Sequence, residues 1–199
     1  MNPDERQKTF VSYLLSLAKE GHEDRAALAD LRSGLGRAPG EMARVHRHVV
    51  PYLAEKNYGD RWYYLTATLF GLHPSHKDPV EHVANGRTWK EHWTVGRAFR
   101  PLAFPPNEPK KESMEARFVA LLNAHPDDLA DHLRHAVSLL KSNEQPLDWF
   151  QLLDDLLNWD RPEGYVQLKW ARDFYKAPNL GDAPEEPTHL KKKEDDEHE

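Results

Sequence analysis

Apolar residues recur every three or four positions along most of this 199-residue chain, and prolines cut the pattern into short segments. That spacing lays one side of an α-helix against a core, whereas a half-buried strand needs strict alternation. A first helix is expected over Pro3–Lys19, with Phe10, Leu14 and Leu17 on one side and Gly21 just beyond. A second covers about His22–Ser33, repeating Leu28 and Leu31 before Gly34 stops it. A third runs from near Pro39 to Val50, with Met42, Val45 and Val49 inward and Arg44, Arg47 and His48 outward. The segment Asp60–Leu72 is apolar nearly all round, the mark of a buried helix.

Residues 73–111 carry six prolines and little helical period, so a long, partly ordered connection with only short helical turns is expected there. Helical pattern resumes over Ser113–Ala124. After Pro126, Leu129, Leu133, Ala136, Val137 and Leu140 mark a long amphipathic helix. Pro146 opens another helix through LDWFQLLDDLLNW, and Pro162 a last one reaching about Tyr175. No segment shows convincing strand alternation. The expected class is all-α, as two small helical bundles joined by a long connection. The N-terminal lobe takes residues 1–105 with connecting loop 73–111, and the C-terminal lobe takes 112–178. Residues 179–199, polar and charge-dense, are expected to be a disordered acidic tail.

The chain has no cysteine, which excludes disulfides, thiolate metal sites and thiol catalysis and fits a reducing cytoplasm. The opening MNPDERQK lacks a basic segment followed by an apolar run, so no signal peptide is expected, and no apolar stretch is long enough for a membrane span. The net charge is −6, but residues 181–199 hold eight acids against three lysines, so the rest of the chain is nearly neutral. Any polyanion must therefore meet a local arrangement of cations.

Catalytic motifs are missing. There is no GxxxxGK[ST] or GxGxxG phosphate loop, no GxSxG elbow and no HExxH. Of the close histidine pairs, only His132 and His135 would share a helix side, and a structural zinc site wants four ligands. Solvated surface imidazoles are the simpler reading, so neither metal nor cofactor is expected. Asp127 and Asp128 fall at a helix start, where negative charge complements the dipole, and Asp154 and Asp155 lie in a mid-helix polar gap. These placements explain the paired acids without Mg²⁺ or acid–base chemistry.

The cations are better organised. Tyr165, Lys169, Arg172 and Lys176 form one stripe on the last helix, Arg134 and Lys141 share a side of the long one, and Arg44 and Arg47 a side of the third. Basic stripes with an interleaved aromatic suit a nucleic-acid backbone, since cations neutralise phosphates and a ring can stack a base. Ordinary solvated helix faces account for the same pattern.

Several blocks resemble one family. HLRHAVSLLKSNEQPLDWFQLLDDLLNW (132–159) and VQLKWARDFY (166–175) look like the CasB family, the small subunit of the type I-E CRISPR Cascade surveillance complex. ALADLRSGLG (27–36), RWYYLTATLFGLHP (61–74) and VGRAF (95–99) follow in the family's order. The resemblance implies a non-catalytic, two-lobed helical protein, present as two copies beside the CRISPR-RNA-binding backbone subunits and the large subunit. It implies R-loop stabilisation through contact with the displaced single-stranded non-target DNA, with guide RNA involved only indirectly. By position in these blocks, before FVALL and after the LDW…NW segment, the resemblance implies nucleic-acid contacts for Arg32, Arg61, Arg117, Arg134 and Arg161, while Lys169 and Arg172 come from the stripe as much as from the resemblance and Lys141 from its stripe. The alternative is a purely protein-binding adaptor, its cations meeting acidic partner surfaces. The acidic tail departs from the family pattern.

Overall fold

A computed structural model describes residues 3–38, 41–54, 59–84 and 86–176. The expected tail and the expected start of the third helix near Pro39 lie outside the described residues. Nine α-helices are present among the described residues: α1 Pro3–Leu17, α2 Arg25–Arg32, α3 Ala43–Val49, α4 Asp60–Leu72, α5 Val95–Ala103, α6 Glu112–Leu122, α7 Leu129–Ser142, α8 Trp149–Leu157 and α9 Tyr165–Tyr175. One hairpin, β1 Val80–Ala84 with β2 Arg87–Glu91, completes the fold.

Local chemistry sets several helix starts. Asp24 caps α2 by accepting from Ala27 N at 2.9 Å, and Asp148 caps α8 by accepting from Gln151 N at 3.0 Å. Thr94 caps α5 through Arg97 N, and its hydroxyl donates to Asp173 of α9 at 2.7 Å. Pro162 opens a 3-10 turn instead of α9 itself. Glu163 and Gly164 both take left-handed backbone (φ +63° and +59°), so the helix begins only at Tyr165.

The buried apolar side chains form one contiguous core running from Phe10 to Phe174. Within it α4 is central and packs against α2, α3, α7 and α8. Eight of its thirteen residues are buried, as its all-round apolar sequence requires. At Gly71 a Cβ would sit 2.7 Å from Arg32 N, so α2 and α4 meet backbone to backbone there. Phe118 stacks on Phe174 at 4.0 Å between ring centroids and on Phe99 at 5.7 Å, joining α5, α6 and α9.

Residues 73–111 differ from the connection expected of them. They contain the hairpin and the nine-residue α5, which packs against α9 and α6. Their first part is also tied down. His76 and Leu147 form an isolated parallel bridge, His73 Nε2 donates to the Gln145 carbonyl at 2.8 Å, and Trp149 Nε1 donates to the Ser75 carbonyl at 3.0 Å. The hairpin is antiparallel, with His82 opposite Trp89 and Val83 opposite Thr88. No residue of either strand is buried, which is why neither shows the alternation of a core-facing strand.

Candidate nucleic-acid interface

The α2–α3 loop, α4 and the first turns of α7 enclose a cleft of about 340 Å³. Met42, Val45, Leu65 and Leu69 line it with apolar surface, and Arg37, Arg61 and Arg134 bring guanidinium groups to it. Two of the residues expected at a nucleic-acid surface, Arg61 and Arg134, thus meet in one place from helices distant in sequence. Arg37 had no signal beyond its charge, since it lies in a loop where no helical period operates.

The arginines are held lightly. Arg61 is 3.7 Å from Asp127 and 3.5 Å from Asp160, and Arg134 is 3.2 Å from Asp131. All of these side chains are at least 40% exposed, and such solvated pairs contribute little, about 0–1 kcal/mol. The Arg61 guanidinium also lies 4.2 Å over the Trp62 ring, which holds it in place without neutralising it.

The remaining expected residues scatter. Arg32, at the end of α2, donates through Nε to the Gly71 carbonyl at 2.9 Å. Arg161 covers the exposed ring of Tyr165 at 5.4 Å. Arg117 on α6, Lys141 on α7 and Arg172 on α9 are exposed, with no ion pair among the described residues. Lys169 turns inward, its ammonium 2.9 Å from the 1%-exposed carboxylate of Asp155. The stripe on α9 is therefore interrupted at its second member.

Asp155 lies in no polar gap. It also accepts from Trp170 Nε1 at 2.6 Å and Gln151 Nε2 at 2.9 Å, and burial raises its pKa against the pull of Lys169. Asp154 beside it is exposed and accepts from the Asn158 side chain.

Several histidines are likewise structural where solvated imidazoles were expected. His48 is buried, and Arg47 Nε donates to its Nε2 at 3.1 Å, which leaves the ring proton on Nδ1 to donate to the Tyr13 hydroxyl at 2.6 Å. Burial and then the Arg47 charge lower its pKa. His92 pairs with Asp148 at 2.7 Å and His46 with Tyr64 at 2.6 Å. His132 and His135 make no such cluster, and no group of three or more His, Asp or Glu among the described residues is placed to hold a metal ion. No helix among the described residues is long and apolar enough to cross a membrane.

Comparison with known proteins gives this helical frame its family. The family model for CRISPR-associated protein Cse2 matches residues 27–175. The CRISPR-associated protein Cse2 of Thermus thermophilus is 37% identical over 181 residues, covering 89% of this chain and 92% of that protein. The crystal structure of CasB from Thermus thermophilus superposes with a TM-score of 0.66 at 35% identity, covering 89% of this chain and all of its own. A chain of a CRISPR RNA-guided surveillance complex shares the fold, with a TM-score of 0.69 at 24% identity over 87% of this chain and 93% of that one. The chain belongs to the CRISPR-associated Cse2 (CasB) family, the non-catalytic small subunits of the type I-E Cascade surveillance complex.

Proposed function

We propose that this subunit acts in the cytoplasm to stabilise the R-loop of a type I-E Cascade complex by contacting the displaced non-target DNA strand. The convergence of Arg37, Arg61 and Arg134 on one cleft, with only exposed carboxylates as competitors, carries this reading. A phosphate can engage these guanidinium groups bidentately, in place of single contacts to solvated aspartates at 3.2–3.7 Å. Arg32, Arg117, Lys141, Arg161 and Arg172 are further candidate contacts at positions outside the cleft, and Lys169 becomes one only by leaving Asp155.

Within the complex, the protein partners are the backbone and large subunits and a second copy of this chain, with guide RNA reached indirectly. A two-lobed arrangement belongs to the same proposal, but α5, which falls within the expected N-terminal lobe 1–105, packs against α6 and α9 of the other, and α7 joins α6 to α4.

The test is the lifetime of the R-loop in assembled complex carrying Arg61→Ala and Arg134→Ala together. Losing two phosphate contacts should shorten it by about tenfold or more at low salt, with the difference shrinking as salt rises. An unchanged lifetime would sink the assignment of this face.

A further inference from the structure

We infer that the cleft between the α2–α3 loop, α4 and α7 takes one unstacked nucleotide of a single strand, base inward and phosphate outward. The inference rests on the proposed contact with single-stranded DNA and assigns it a site.

The cleft joins two kinds of surface that a backbone-only contact would not need together. Its inner wall is apolar, built from Met42, Val45, Leu65 and Leu69, while its cations are Arg37, Arg61 and Arg134. An inorganic anion has no use for the apolar wall, and a neutral apolar ligand has none for three guanidinium groups. A nucleotide uses both, with its flat base against the wall and its phosphate among the arginines. The volume of 340 Å³ sits at the small end of ligand pockets, about 300–1,000 Å³, and suits one nucleotide and not a duplex.

The walls are preformed. Gly34 leaves no room for a side chain, since a Cβ there would meet Thr68 Cγ2 at 2.8 Å. Tyr64 is fixed by its hydroxyl bond to His46, and Arg61 by the Trp62 ring. Arg134 presents its exposed terminal nitrogens, one of which donates to Asp131 at 3.2 Å. Asp127 and Asp131 also line the cleft, so the arginines exchange carboxylate for phosphate when the strand arrives.

The experiment compares two probes of equal length and charge on the full chain at low salt, followed by fluorescence anisotropy: oligothymidine and a fully abasic oligonucleotide. The wild type should bind oligothymidine at least about fivefold more tightly, because a sequestered base adds stacking and apolar contact. Ala130→Trp and Ala38→Trp, at two exposed positions lining the cleft, should each fill it and abolish the preference for oligothymidine over the abasic probe. Two positions on different walls guard against a fold defect in either, and the thermal midpoint reports on that directly.

Equal binding of the two probes by the wild type would overturn the cleft assignment while leaving the backbone contact intact. Binding of neither probe would overturn both. A preference that survives both tryptophans, with assembly of the complex blocked, would overturn it in favour of a protein side chain as occupant.

Discussion

Asp155 receives hydrogen bonds from Lys169 Nζ, Trp170 Nε1 and Gln151 Nε2 while its own side chain is almost wholly out of solvent. Removing it leaves two buried donors without an acceptor and one ammonium without its counter-charge. We expect Asp155→Ala to lower stability by about 2–4 kcal/mol, measured by urea unfolding, because each orphaned donor costs roughly 1–3 kcal/mol and Lys169 can turn outward to recover solvent. A change under about 1 kcal/mol would mean the network does not hold α8 to α9. Nothing in the one-dimensional pattern separates this aspartate from Asp154, since the two are adjacent and the contrast arises only once α9 lies across α8. Lys169 was misplaced for the same reason: a helical stripe says which residues share a side, not which neighbouring helix occupies it.

His73 and His48 make stability depend on pH. Burial is the main cause that lowers both pKa values, with Lys141 adding to it at His73. The unfolded chain therefore takes up protons at these rings before the folded one does, and stability falls as pH drops below about 6.5. Asp155, raised by burial, works in the opposite direction, but at lower pH, from the ordinary carboxylate range upward. His73→Gln, whose amide can still donate to the Gln145 carbonyl, should flatten the slope between about pH 5 and 7, read by urea unfolding at each pH. An unaltered slope would remove His73 as its source.

Helices α5 and α9 cross at backbone contact, and one residue permits it. A Cβ on Gly96 would lie 2.0 Å from the Trp170 carbonyl oxygen, an overlap that no rotamer relieves because the obstacle is main chain. Gly96→Ala should therefore separate the two helices and cost about 3 kcal/mol or more, seen as a fall in thermal midpoint. A midpoint within a degree or two of wild type would show that the crossing yields. The VGRAF block that resembled the family thus has a packing reason, although the sequence could not show what the glycine faces. Long helices with unbroken apolar periods, α1, α4 and α7 above all, were legible because one local rule fixes both their class and their buried side. The span from 73 to 111 was not. Its helix α5 is nine residues long with Pro101 inside, and its strands bury no face, so neither period had room to register. Gly86 was a local sign of the turn, and it takes the left-handed backbone that such turns favour, with a φ of +71°.

Charge belongs to the molecule as a whole. Five of the six net negative charges lie in residues 181–199, past the last residue that matches the family. Truncation after Lys176 removes them and leaves every cleft residue in place. Single-stranded DNA should then associate severalfold faster at low salt, with the gain fading as the Debye length shrinks to about 8 Å near physiological salt. Stopped-flow association at two salt concentrations measures this, and identical rates would show that the acidic segment exerts no field on the approach. The cleft itself was only half legible in sequence. Arg61 and Arg134 were named one at a time, but their convergence required α4 and α7 to pack, and Arg37 sits outside any periodic element.

The crossing of α9 on α5 also governs when this protein can become itself. Gly96 and Trp170 touch across a loop of more than seventy residues, and Thr94 binds Asp173 over the same span. A chain emerging from the ribosome at about 5–20 residues per second exposes the apolar side of α5 for several seconds before its partner is synthesised. Once made, Phe118 still lacks the Phe174 ring that stacks on it at 4.0 Å. Completion of the fold therefore waits until the segment carrying Trp170 and Asp173 has been synthesised.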